Sequence, residues 1–231
     1  MKRKSKRYKK LKDSFKKKEY KTADEVLKDV KNSPGVKFVE SIDLSLKINL
    51  KKIKGAENSL RTLIDLPHGN GKKLKIAVLC DENKLSEAKK SGADIVGSED
   101  LLKKISDKDI NFDKLICTPS MMAKIGKLGK ILGPKGLMPN PKLGTVTNEI
   151  SKSVKDAKSG QVKFKNDKSG IVHAGIGKID FSEEDLLENI KTFYSSVNKS
   201  KPDAVKGSFI KKVTIASTMG VGLNINQASL R

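Results

Sequence analysis

Four residues near the end of the chain, Ser217, Thr218, Met219 and Gly220, close an apolar run within IASTMGVG. Core strands rarely finish with two hydroxyls, a thioether and a glycine. Hydroxyls can bond 2′-hydroxyl or phosphate oxygens, and a glycine lets backbone approach a sugar closely, which suits recognition of structured RNA by shape. An ordinary strand end with a turn explains the same residues, and taken alone they favour it. Lys37, Phe38, Glu40 and Ser41 pose a similar choice in KFVESIDLSLKINL. Phe38 can pack on a ribose or belong to the core, and periodicity says core. His173 falls among Lys163, Lys165 and Lys168, where an RNA contact competes with a satisfied strand histidine. Lys37, Lys168, Lys211 and Lys212 are candidate phosphate ligands.

A second cluster is LGKILGPKGLMPNPKLGTVT, residues 128–147. Its density of Gly and Pro leaves no regular helix or strand and predicts a shaped loop. Lys130, Gly133, Lys135, Gly136, Met138 and Lys142 could present amides and ammonium groups to a second RNA element. A rigid connector packing one domain on the other explains them equally well.

Other chemistries fail on spacing. No G-x-x-x-x-G-K-[ST] string occurs, and the Gly69-Asn70-Gly71 turn precedes its strand and lacks a third glycine, so nucleotide binding is not expected. His68 and His173 have no cysteine or acidic companions at ligand spacing, and no nucleophilic triad is supported. No catalytic residue, metal or cofactor is therefore expected. Cys80 and Cys117 each end a short apolar run and read as small hydrophobes.

The charge balance points to a polyanion. Among 231 residues, 49 Lys and Arg stand against 27 Asp and Glu, a net charge of +22. Only Arg3, Arg7, Arg61 and Arg231 are arginines, which favours point-charge contact with phosphate over bidentate base reading. Aromatic residues make up 4%, too few for a single-strand stacking platform, so structured RNA is the expected ligand. No apolar stretch approaches the roughly 20 residues that span a bilayer, and no secretion signal opens the chain. A cytoplasmic protein with no membrane partner is expected.

These residues need a scaffold. The first 21 residues hold twelve Lys or Arg against Asp13 and Glu19 and read as an arm laid along phosphate. Thr22 with Glu25 predicts a helix start near residue 23 that stops before Pro34 and Gly35. Apolar residues at 38, 42, 44, 46, 48 and 50 predict a half-buried strand, and a second strand is expected near Leu60 to Leu66. From Lys75 to Ser159 short apolar runs alternate with helical ones, the mark of an open, mostly parallel sheet covered by helices. Beyond Gly160 come strands at QVKFKN and IVHAGIG, a helix capped by Ser182 with Leu186, Ile190, Phe193 and Val197 on one stripe, and a strand at FIKKVTIAS. Neither end makes a core alone. The fold class expected is α/β with two domains. A discontinuous outer domain with a split β-α-β sheet is built from residues 1–66 and 160–231, and a Rossmann-like three-layer domain, residues 67–159, is inserted into it. The outer segments carry +15 of the charge.

The segments KFVESIDLSLKINL, LPHGNGK, LGKILGPKGLMPNPKLGTVT, GQVKFKNDKSGIVHAGIGK and KGSFIKKVTIASTMGVG closely resemble, in order and spacing, the bacterial L-one family of large-subunit ribosomal proteins. The Lys-heavy arm and near absence of Arg depart from relatives that mix the two. The resemblance implies an outer α/β domain gripping large-subunit rRNA, and an inserted Rossmann-like domain. It implies a mobile stalk near the exit site that assists release of deacylated tRNA, and repression of translation of its own mRNA through an rRNA-like site. It carries family contacts onto Lys37, Phe38, Glu40 and Ser41, and onto Ser217, Thr218, Met219 and Gly220. The partners it implies are rRNA, exit-site tRNA, own-operon mRNA and the large ribosomal subunit.

Overall fold

The computed structural model describes residues 5–15, 22–33, 36–49, 60–202, 205 and 207–230. The arm at 1–4 and 16–21, Pro34, Gly35 and Leu50 lie outside the described residues. The chain divides into two compact units, Met1–Gly71 with Val162–Arg231, and Lys72–Gln161.

In the first unit, helices α1 (Lys6–Phe15) and α2 (Ala23–Lys31) precede strands β1 (Ser41–Ile48) and β2 (Arg61–Asp65). After the second unit come β6 (Gln161–Lys165), β7 (Ile171–Lys178), α8 (Glu183–Lys199), β8 (Ile210–Ser217) and β9 (Leu223–Ile225). Helices α2 and α8 start as their caps dictate. Thr22 Oγ1 accepts from Glu25 N at 3.4 Å, and Ser182 Oγ accepts from Asp185 N at 3.1 Å. Acidic residues fill each first turn, where the helix dipole favours them.

Strands β7, β1, β8 and β9 form an antiparallel sheet in that order. Period-two alternation sends Ile42, Leu44, Leu46 and Ile48 of β1 inward, where they share one core with Val26, Leu27 and Val30 of α2 and Leu186, Ile190, Phe193 and Val197 of α8. Phe164 of β6 meets Phe193 edge-to-face, with ring centroids 5.7 Å apart. Truncating so buried a ring costs about 3–5 kcal/mol. Helices α2 and α8 lie on one face, and among the described residues the opposite face of the sheet is open.

The second unit runs β3 (Ile76–Leu79), α3 (Leu85–Lys90), β4 (Ile95–Gly97), α4 (Glu99–Ser106), β5 (Lys114–Cys117), α5 (Met122–Gly126), α6 (Gly129–Leu132) and α7 (Ile150–Lys158). Its parallel sheet has the order β4-β3-β5. Alternate residues of β3 feed two cores. Ile76 and Val78 meet Val154 and Ala157 of α7, while Ala77 and Leu79 meet Leu101 and Ile105 of α4. The result is a three-layer α/β unit, as the sequence pattern requires.

At the carboxyl end of this sheet, where doubly wound folds hold nucleotides, the chain's own side chains bond one another. The Ser120 hydroxyl donates to the Asp81 carboxylate and meets Thr118 Oγ1 at 3.0 Å. Cys80 and Cys117 are free and buried. Burial pushes both thiols up, Cys117 to about 12.

Two expectations need correction. Residues 128–147 are not wholly irregular: α6 makes one helical turn and Pro141–Leu143 a 3-10 turn. Gly and Pro shorten helices there but do not abolish them. Phe38 is not core: it lies outside β1 and is 53% exposed. The alternation that buries Ile42 ends where the strand begins.

Candidate nucleic-acid interface

The open sheet face is built by the outward half of each strand's alternation. From β1 come Asp43, Ser45 and Lys47, from β7 His173, from β8 Lys212 and Thr214, and from β9 Asn224. Register sets Ser45 between His173 and Thr214, and Lys47 opposite Lys212. Ser45 Oγ lies 3.1 Å from His173 Nδ1, and Thr214 Oγ1 donates to Asn224 Oδ1 at 3.1 Å. The face thus carries cross-linked hydroxyl, imidazole and amide groups, all short and polar. Two cations directly opposite on an exposed ladder repel, and Lys211 adds a third. A register shift between Lys47 and Ile48 leaves Lys211 without a partner on β1, so Lys211 and Lys212 are both exposed where strict alternation would bury one.

At the Ser41 end of β1, the turn after β8 is held tightly. Thr218 N donates to Ser41 O at 3.0 Å, and Ser41 N donates to Thr218 Oγ1 at 3.0 Å. Met219 N donates to Glu40 Oε1 at 2.7 Å, and Gly220 N to Ser217 O at 3.1 Å. The amides of residues 218–220 are therefore engaged within the protein. What the turn offers outward is shape and side chain. Met219, Phe38 and Val39 are the large hydrophobic residues left exposed among the described residues, at 48%, 53% and 48%. They gather at the Glu40–Met219 junction, where exposed apolar groups mark an interaction site.

Gly220 is required by space. A Cβ there would clash with Ser217 Oγ, a buried hydroxyl with no hydrogen-bond partner among the described residues. Glu40 is itself only 3% exposed. Its place is beneath the turn, holding it, while Lys37, Phe38 and Ser41 remain reachable from solvent.

The remaining candidates lie apart. Lys163 and Lys165 project from β6, which pairs with β2 in a separate two-stranded ribbon. There burial first, then the nearby Arg61 and Lys165 cations, lower the pKa of Lys163. Lys168 sits in the tight turn between β6 and β7, closed by Ile171 N donating to Asp167 Oδ1 at 2.8 Å. His173 Nε2 is 4.0 Å from Asp167 Oδ2, a loose and exposed pairing.

In the second unit Lys130, Gly133, Lys135 and Gly136 are exposed, whereas Leu137 and Met138 pack on the core below. Thr145 ties the loop down, accepting from Asn140 N at 2.8 Å and passing its carbonyl to Cys117 N at 2.9 Å. The side chain of Lys142 lies outside the described structure.

Sequence spacing missed several groups. Lys47, Ser45 and Thr214 were legible as the polar half of their strands' alternation. His68 was not: its ring nitrogens meet Asp185 at 3.3 Å and Glu188 at 2.6 Å, carboxylates remote in sequence. The Glu188 hydrogen bond is the largest cause of the raised His68 pKa. Buried Asn189 completes this anchor, accepting from His68 N at 3.3 Å and donating to Gly69 O at 3.0 Å.

Residues 26–221 match the Ribosomal protein L1p/L10e family. The chain is 47% identical over 222 residues to the large ribosomal subunit protein uL1 of Pelagibacter ubique, covering 96% of each. It is 45% identical to uL1 of Haemophilus influenzae over 90% of each chain, and 45% identical to uL1 of Rickettsia akari over 88% of this chain and 85% of that one. With most of its length matched at these identities, the chain belongs to the ribosomal protein L1p/L10e family, a family of ribosomal constituents and not of enzymes.

Proposed function

We propose that the protein is a structural constituent of the large ribosomal subunit, cytoplasmic with the ribosome, whose first unit grips a folded element of large-subunit rRNA. The observation that carries this reading is Lys47 placed directly opposite Lys212 on an open sheet face, with Lys211 beside them. Facing cations destabilise the free protein and are relieved by an anion, and the polyanion at hand for a ribosomal constituent is RNA.

The grip divides its work along β1, which at about 3.4 Å per residue spans about 24 Å from Ser41 to Ile48. At one end Lys47, Lys211 and Lys212 neutralise phosphate. Between lie Ser45, His173, Thr214 and Asn224, whose hydroxyls, ring and amide suit 2′-hydroxyl contacts. At the other end the braced turn presents Met219, with Phe38 near it, as apolar shapes against sugar and base faces. Lysines supply affinity for any RNA, and the braced turn supplies discrimination.

The first unit thereby anchors the chain on the ribosome in a mobile stalk, which assists release of deacylated tRNA from the exit site. The same grip on an rRNA-like site in its own message represses its translation. The family membership and the uL1 relatives support the ribosomal assignment. Replacing Thr218 or Met219 by Ala tests the reading. Affinity for a stalk-sized rRNA fragment should fall further than affinity for random RNA, and equal losses on the two would contradict it.

A further inference from the structure

Helix α1 carries five cations, Lys6, Arg7, Lys9, Lys10 and Lys12, against one carboxylate, Asp13. Its first turn has no acidic residue. By itself this is a poor helix, because cations at the N-terminus oppose the helix dipole. It is held by its inner face instead: Leu11 is 3% exposed and Phe15 packs against the core of the first unit. Arg7, Leu11 and Phe15 stand at i, i+4 and i+8, on one side of the helix. Arg7 uses that position to reach the turn described above, donating from Nη2 to the carbonyl of Met219 at 2.6 Å across 212 positions of sequence.

Both backbone polar groups of Met219 are therefore held, N–H by the buried Glu40 carboxylate and C=O by the Arg7 guanidinium. Between them protrudes an exposed side chain. A hydrogen bond from a charged donor is stronger than a neutral one, and a planar guanidinium has further donors beyond the one Met219 uses. Lys6, Lys9, Lys10 and Lys12 are all exposed on the outer side of the same helix.

We propose that α1 is an integral part of the RNA grip: Arg7 is a positioning residue that fixes the Met219 turn in its RNA-reading shape, and the exposed lysines of the helix extend the phosphate track beyond the sheet. This rests on the reading of residues 217–220 as an RNA contact. A phosphate near the start of α1 also offsets the unfavourable cation-dipole arrangement, so RNA binding and helix docking reinforce each other. A solvated helix with no part in the grip would have no cause to direct its one guanidinium onto the backbone of an exposed residue of the turn.

The test compares the full chain with Arg7→Ala and Thr218→Ala, each titrated with a stalk-sized fragment of large-subunit rRNA and with a random-sequence RNA of equal length. Arg7 is partly exposed on the helix surface, so the variant keeps the fold, which its melting temperature checks. Arg7→Ala should lose about tenfold on the rRNA fragment and stay within about twofold on random RNA. In the RNA-free variant the amides of Met219 and Gly220 should exchange faster, a change that loss of a phosphate contact would not produce.

Loss on the fragment by Thr218→Ala but not by Arg7→Ala overturns the role of α1 and leaves the turn reading intact. No loss by either overturns the reading on which it rests. Equal losses by Arg7→Ala on both RNAs, with unchanged amide exchange, overturn the positioning role.

Discussion

The amide of Met219 donates to the carboxylate of Glu40 at 2.7 Å, joining positions 179 residues apart. This bond fixes the turn after β8 against the segment leading into β1, and so places the exposed Met219 side chain. Glu40→Ala removes the acceptor and leaves a partly buried N–H unsatisfied, at a cost of about 1–3 kcal/mol. Urea unfolding should register that loss, and Glu40→Gln, which keeps a carbonyl acceptor, should recover most of it. Equal stability of the Ala variant and the parent would remove the carboxylate from this role.

Gly220 and Ser217 yield a sharper test. Gly220→Ala drives a methyl into the Ser217 hydroxyl, which is buried at the end of β8. The turn should shift and rRNA affinity fall. Adding Ser217→Ala removes the offending oxygen and should restore binding in the double variant. A double variant no better than the single one would place the defect elsewhere.

The opposed lysines predict effects of opposite sign. Lys212→Gln relieves repulsion with Lys47 and should stabilise the free protein slightly, by no more than about 0.5 kcal/mol after solvent screening. It should also weaken RNA binding and lower the slope of log affinity against log salt by about 0.7–0.9, the contribution of one phosphate contact. Loss of stability together with an unchanged slope would contradict the assignment.

His68 carries a pH signature. Asp185 and Glu188 raise its pKa above the ordinary 6.5, Glu188 through the larger effect. The charged ring is favoured by folding, so its contribution is complete below about pH 6.5 and fades as pH rises through the raised value. The stability difference between the parent and His68→Gln should therefore shrink on going from about pH 6 to about pH 9. A difference that stays constant would show that the ring acts without its charge, leaving the backbone bonds to Asn189 as the anchor.

The two thiols should be inert in the folded state. Cys80 and Cys117 are fully buried and their pKa values are raised, so iodoacetamide should label neither until the chain unfolds. Labelling of the native protein at the rate of the unfolded chain would contradict the packing of β3 and β5.

Local pattern made much of this architecture legible. Alternation at Ile42, Leu44, Leu46 and Ile48 specified β1, Thr22 and Ser182 marked helix starts, and the stripe from Leu186 to Val197 marked the buried face of α8. Each signal lies within a few residues of what it specifies. Phe38 deceived because an apolar residue in phase with a strand looks the same whether or not the strand has begun. Lys211 and Lys212 are both exposed only because of a register shift, which depends on the partner strand. Arg7 on Met219, Glu40 on Met219 and Glu188 on His68 join residues more than a hundred positions apart, and nothing local encodes such meetings. The open face was visible residue by residue as polar alternation, but its opposed lysines emerged only with the register.

The most direct test of the central claim is the affinity of the purified chain for a stalk-sized fragment of large-subunit rRNA, at near-physiological salt with excess tRNA as competitor. Nanomolar binding that survives the competitor is expected, because the braced turn discriminates where lysines do not. Micromolar binding abolished by competitor would contradict it, and would reduce the interface to its positive charge.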